Sequence, residues 1–242
     1  MKLQPPENVN YAATVVTIRQ IIPLENCDNV VATPLLGYQA IVGKDTKVGD
    51  IGIVFTAETQ LSEEFARRNN LHRHGNLNED ESAKGYLEDN RRVKALKFRG
   101  HRSDALFMPL ESLDYVHGFI TEVLKEGDTF DKLDDHEICR KYVRPTKGYG
   151  PGAIQAPKPT RIDKKFLPEH FDTENYFRNS HKLSANDSVI ITQKLHGTSV
   201  RIGHTLVSRK LSLWERVAKK FGAKIQEFEY AYVFGSRKVI NE

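Results

Sequence analysis

Cysteine is scarce. Cys27 and Cys139 are the only two in 242 residues, and they stand far apart with no metal-ligand spacing around them. That count excludes a disulfide framework and a zinc-finger type of site, and leaves two reduced thiols. Long apolar runs are missing too. No stretch approaches the ~18 apolar residues that a membrane-spanning helix needs, and the N-terminal Met1-Lys2-Leu3-Gln4-Pro5-Pro6 has no apolar signal core. A cytoplasmic chain with no membrane partner is the expectation. His72, His74 and His101 have no cysteine or carboxylate at ligand spacing, so they read as solvated loop histidines and no metal ligand is assigned.

What is present describes a globular protein, with 39% hydrophobic and 28% charged residues, enough for one large or two modest domains. The net charge of +4 is unevenly spread. Residues 151–242 carry 16 Lys+Arg against 9 Asp+Glu, a net of +7, whereas the first 150 residues carry 20 against 23. A basic second half suits a phosphate-bearing partner, because each neutralised phosphate releases counterions; a merely solvated basic surface gives the same count.

The first region reads as β-rich. Ala12–Ile22, Val30–Leu36, Tyr38–Gly43 and Ile51–Ala57 are strand-like, punctuated by Gly37 and by Val48-Gly49-Asp50. Ser62–Asn70 predicts a short helix with Ser62 as N-cap and Glu63 and Glu64 in its first turn. His72–Asn90 is polar and predicts a long surface loop; Arg92–Phe98 and Ala105–Pro109 are again strand-like. Short strands around one helix favour a small barrel over a doubly wound sheet. Arg91, Arg92, Lys94, Lys97, Arg99 and Arg102 form a basic cluster that fits either a nucleic-acid face or a solvated one. Lys147–Pro159 packs glycines and prolines into a linker-like stretch. Beyond it, a helix is predicted from Asp172 to Arg178, capped by Asp172. Strands are predicted at Ser188–Lys194, Ser199–Val207 and Glu227–Phe234, with helical spacing over Leu213–Phe221.

The stretch with chemical content is Ile190-Ile191-Thr192-Gln193-Lys194-Leu195-His196-Gly197-Thr198-Ser199. It is not a P-loop, where glycines precede the lysine. An apolar strand delivering a lysine to its end favours a desolvated, neutral amine, and a neutral amine is a competent nucleophile. Gly197 lets backbone approach a phosphate or ribose closely. A surface lysine beside a glycine turn is the alternative on these residues alone.

Lys194–Ser199 (KLHGTS) resembles motif I of the covalent nucleotidyltransferases: DNA ligases, RNA ligases and mRNA capping enzymes. Its His and Thr-Ser are similar to ATP-dependent RNA ligases, especially phage-type ones with an N-terminal OB domain. Gly235-Ser236-Arg237-Lys238 resembles motif Ia. The lead-in Phe166–Phe171 with Thr173, and in the first region Gly37, Val48-Gly49-Asp50, Arg92–Gly100 and Ser103, are similar to the same group. The resemblance implies an α+β chain: an OB-like β-barrel over residues 1–145, a linker over 146–160, and over 161–242 the first part of a nucleotidyltransferase (ATP-grasp-like ligase) domain. It implies Lys194 as the nucleophile toward ATP, with Mg²⁺ as cofactor. Thr192 and Gln193 would lie against the base, His196 and Gly197 near ribose and phosphate, and Arg237 would hold a phosphate or an RNA 5′ end. RNA is the implied partner, as nicked duplex or tRNA, in phage or bacterial host cytosol.

The family's later acidic and lysine motifs should follow motif Ia, and five residues follow Arg237. The resemblance therefore implies an incomplete pocket, belonging to a fragment of a longer ligase or to a chain that a second polypeptide completes, and at most a trace of AMP on this chain alone. Two other readings stand beside it: a non-catalytic OB-type nucleic-acid-binding protein with a degenerate ligase half, and a related DNA ligase or capping-type enzyme, against which the domain order argues.

Overall fold

In the computed structural model, residues 3–116, 123–144, 161–162, 165–170, 173–193, 199–236 and the backbone of 240–241 are described. The chain divides into two compact units, Met1–Pro145 with Glu174–Ser184, and Thr146–Thr173 with Ala185–Glu242.

The first unit is rich in sheet and poor in helix. Its strands are β1 (Ala13–Thr17), β2 (Ile22–Pro23), β3 (Val30–Leu35), β4 (Tyr38–Gly43), β5 (Ile51–Thr56), β6 (Thr59–Leu61), β7 (Leu96–Phe98), β8 (His101–Ser103), β9 (Ala105–Pro109), β10 (Thr129–Phe130), β11 (Lys132–Leu133), β12 (His136–Glu137) and β13 (Cys139–Lys141). Among the described residues its α-helices include α1 (Glu63–Arg68) and α2 (Tyr176–Asn179). Seven strands pair in the order β10-β1-β5-β9-β4-β3-β2. The joint between β4 and β9, at Ala40↔Ala105, is parallel, and the other pairings of this sheet are antiparallel. Among the described residues the end strands β10 and β2 do not pair with each other, and no closed barrel is found.

The central strands are apolar without alternation because they are covered on both faces. Val15, Ile53 and Phe55 belong to one core, with Phe65, Leu113 and Phe130; Val16 and Val54 point into a second, with Ile18, Leu35 and Ala40. The Phe65 ring meets Phe55 edge-on at 5.3 Å and fixes α1 to the sheet. As predicted, Ser62 caps that helix, its hydroxyl accepting from the Phe65 N–H at 3.1 Å, with Glu63 and Glu64 in the first turn and Arg67 and Arg68 in the last.

Residues 72–90 form the irregular, largely exposed loop that was expected, with His72, Asn78 and Leu87 turned inward. The Asn78 side chain accepts from the His72 N–H and donates to the carbonyls of His72 and Ala83, all at 2.9 Å, so one amide closes the loop on itself. His72 is consequently buried at 2% exposure rather than solvated, and neither ring nitrogen has a hydrogen-bond partner. Burial pulls its pKa below the ordinary value, and nearby Arg91 pushes the same way, while Asp89 and Glu63 act against them. A depressed histidine stays neutral in the fold but charges in the unfolded chain. Stability is therefore full above about pH 6.5 and falls with decreasing pH until the folded-state pKa is reached, by up to about 1.4 kcal/mol per pH unit. Urea unfolding across that range is expected to show this slope, and His72→Leu is expected to flatten it. An unchanged slope in the variant would show that other groups set the acid sensitivity.

The helix predicted from Asp172 is shorter than expected: α2 begins at Tyr176, with Asn175 as N-cap accepting from the Arg178 N–H. Asn175 also donates to the Leu36 carbonyl at 3.2 Å, and Arg178 donates to Thr14 Oγ1 at 2.5 Å. Between these anchors, the Phe177 ring lies where a Cβ on Gly37 would stand, 2.5 Å away, and Gly37 has φ +82°. Gly37→Ala is expected to cost about 1–3 kcal/mol through left-handed backbone strain and a displaced ring. Faster proteolysis near α2 with little change in far-ultraviolet dichroism is the expected readout. A melting temperature equal to that of the wild type would contradict it.

The second unit is built on a long hairpin, β14 (Arg201–Ser208) and β15 (Phe228–Gly235), in register from Arg201↔Gly235 to Ser208↔Phe228. The two strands are linked through α3 (Leu213–Lys220), and β16 (Ile240–Asn241) pairs with the end of β15. Val207 and Val233 bury against Ile162 and Leu167. A capping box starts α3, and Arg209 together with Ser212 holds the Glu215 carboxyl down to about 2. The predicted strand Ser188–Lys194 does not form: residues 188–193 have no regular structure, and Ile190 and Ile191 are each 92% exposed. Its β-branched residues favour a strand only against a partner, and among the described residues no strand pairs with them.

Candidate functional site

Of the residues singled out in the sequence, Lys194, His196, Gly197 and Arg237 lie outside the described residues. Thr192 and Gln193 are described, exposed and in irregular backbone. What the structure shows is the frame around them. The stretch that holds Lys194 leads through half-buried Ser199 into β14 at Arg201, and β15 ends at Gly235, just before Ser236-Arg237-Lys238. Because Arg201 pairs with Gly235, the chain enters and leaves the hairpin for these two segments at the same end.

Arg201 holds that end together. Its Nε donates to the Ser236 carbonyl at 2.8 Å, and its Nη1 to the carbonyls of Pro168 at 2.5 Å and Leu167 at 3.3 Å. A guanidinium suits this task, since its planar fork reaches several acceptors with little loss of rotamer freedom. Sequence reasoning did not single out Arg201; a basic residue at the first position of the strand after Lys194–Ser199 was the available signal. The lead-in segment around Leu167 is thereby tied to the same end of the hairpin, with the Leu167 side chain 3.3 Å from where a Cβ on Gly203 would stand.

The basic cluster of the first unit is largely occupied by internal partners. Arg92 pairs with Glu58 and lies over the Tyr142 ring, Lys94 pairs with Glu88, Arg102 with Asp104, and Arg99 donates to the Asn26 carbonyl. Of the loop histidines, His74 pairs with Asp89 at 2.8 Å, and a His101 ring nitrogen lies 3.0 Å from the Glu25 carbonyl. Cys27 and Cys139 are free, and burial pushes the Cys139 thiol up. Among the described residues no three His, Cys, Asp or Glu side chains come together as a metal site, and no helix is long and apolar enough to cross a membrane.

No family model and no curated protein matches the chain. Among solved structures it is similar to an RNA ligase of Naegleria gruberi. A mutant of that ligase with ATP and Mn aligns over 97% of this chain and 58% of that one, at 16% identity and a TM-score of 0.45. The ligase with PPi aligns over 95% and 56%, at 17% identity and 0.40, and another mutant, with AMP and Mn, over 95% and 56%, at 17% and 0.41. The chain thus spans less than two thirds of the solved ligase it resembles.

Proposed function

We propose that this chain is the front part of an ATP-dependent RNA ligase, with an OB-like N-terminal unit and a nucleotidyltransferase unit in which Lys194 accepts AMP. The observation that carries the reading is the sequence Lys194–Ser199 entering β14 while Gly235-Ser236-Arg237-Lys238 leaves β15. The pairing Arg201↔Gly235 supports it, because a nucleophile and a phosphate-holding arginine have to serve one site from two segments distant in sequence.

In this reading the neutral Lys194 amine attacks the α-phosphorus of ATP. An N–P bond forms, the P–O bond to pyrophosphate breaks, and the amine loses a proton. The AMP then passes to an RNA 5′-phosphate oxygen, and an RNA 3′-hydroxyl displaces AMP to form the phosphodiester. Thr192 and Gln193 would contact the base, His196 and Gly197 the ribose and phosphate. Arg237 would hold the phosphate or 5′ end, its fork matching two oxygens. Such transfers depend on positioning and charge neutralisation. Mg²⁺ would supply charge neutralisation on the ATP phosphates; among the described residues no group of three His, Cys, Asp or Glu side chains is placed to hold it.

The test is incubation of the chain with α-labelled ATP and Mg²⁺, followed by denaturing electrophoresis and mapping of any labelled peptide. A trace of label, confined to the peptide containing Lys194, is expected, because the later acidic and lysine motifs are not among these residues. No label, or label elsewhere, would overturn nucleotidyl transfer by this chain and favour a nucleic-acid-binding module.

A further inference from the structure

The hairpin buries one face and leaves the other open. On the open face Phe228, Tyr230, Tyr232 and Phe234 stand in one row along β15, with Tyr230 70% and Tyr232 79% exposed. His204 of β14 lies directly opposite Tyr232 and adds a ring to the row, its centroid 4.5 Å from Tyr232 and 5.5 Å from Tyr230. Alternate residues of a strand are roughly 7 Å apart, about twice the spacing of bases stacked in a duplex strand. Rings at that interval suit bases of an unwound strand, each taking a π-face without regard to base identity.

Charge selects among the occupants of such a face. Residues 151–242 carry a net +7. The connection that leaves the hairpin at the Ser208↔Phe228 end includes Lys210, Arg216, Lys220 and Lys224, none of which pairs with a carboxylate among the described residues. A second copy of the chain would bring the same positive charge against itself, whereas a polyanion would be drawn in. The other end of the row runs directly into Ser236-Arg237-Lys238.

We infer that the open face of β14 and β15 is a stacking platform for single-stranded RNA, which runs along β15 toward its Gly235 end. The direction of travel rests on the ligase reading; the platform itself does not.

The test is fluorescence anisotropy of a labelled single-stranded RNA of about ten nucleotides, measured with the full chain and without ATP. Tyr230→Ala/Tyr232→Ala is expected to weaken binding about 10- to 100-fold, and Tyr230→Phe/Tyr232→Phe to stay within about twofold, because stacking needs the ring and not the hydroxyl. A duplex of the same sequence is expected to bind more weakly than the single strand. Binding by the alanine variant equal to that of the wild type, with unchanged circular dichroism, would overturn the inference. So would equal affinity for duplex, or a wild-type dimer in sedimentation that the alanine variant dissociates. Ring-dependent binding by a chain that takes no AMP would sink the ligase reading and leave the platform. A chain that takes AMP but binds RNA without regard to the rings would do the reverse.

Discussion

Lys194→Ala and Lys194→Arg are both expected to abolish the covalent AMP label completely. Alanine removes the nucleophile. Arginine keeps the charge and the length but remains protonated at any accessible pH, so it has no lone pair to offer phosphorus. The pair therefore separates a nucleophile from a cation that only neutralises phosphate, since a charge-neutralising role would leave activity in the arginine variant. Label formed on the wild type is expected to be labile to acid and stable to base, as a phosphoramidate is, and its initial rate is expected to rise with pH as the amine loses its proton. Label that persists in either variant would relocate the nucleophile. Residues 188–193 supply a further expectation. They are irregular and exposed, so the desolvation that would favour a neutral amine depends on covering Ile190 and Ile191.

The second large effect concerns the fold. Phe55→Ala is expected to destabilise the first unit by about 3–5 kcal/mol. Phe55 is fully buried in the core shared with Ile53, Phe65 and Phe130, and its ring is the one that α1 packs against. Whole domains of this kind are stable by about 5–15 kcal/mol, so the variant is expected to have lost much of its margin at room temperature. Urea unfolding followed by circular dichroism measures it, with Phe98→Ala as the comparison. Phe98 is half exposed on β7, and its truncation is expected to change stability by less than about 0.5 kcal/mol. Equal losses in the two variants would show that the core assigned to Phe55 is wrong.

Elements with strong local signals were legible in the sequence. The Ser62 cap with acidic residues behind it defined α1, and apolar runs bounded by turns defined β3, β4, β5 and β9. The short strands β6, β8 and β10 to β13 were not legible, because two or three residues carry no period and are strands only through their partners. Ala12–Ile22 read as one strand, yet β1 stops at Thr17, where Ile18 turns into the second core and its carbonyl accepts from Gly49. Ser188–Lys194 was misread for the converse reason: the residues favour a strand, and nothing described pairs with them. His72 was misread because its burial depends on the Asn78 amide, which no spacing rule reveals. Of the site, the sequence pointed to Lys194 from its place after an apolar run and from motif resemblance, and to Arg237 from resemblance, while Arg201, which ties β14, Ser236 and the Leu167 segment together, became visible only from its hydrogen bonds.

The way β1 is held has a consequence for synthesis. Its register partners include Thr129 and Phe130, and Thr14 also accepts from Arg178, 164 residues further along. A chain leaving the ribosome from its N-terminus reaches β5 early but cannot complete the far edge of β1 until β10 has emerged, nor seat α2 until Arg178 has. Contacts this distant in sequence slow folding, and an unpaired strand edge invites pairing with other chains. Between the emergence of β5 and that of β10 the first unit therefore exists as a partly built sheet with an open edge at β1, and that edge is where a holding chaperone or a mispaired neighbour would first engage it.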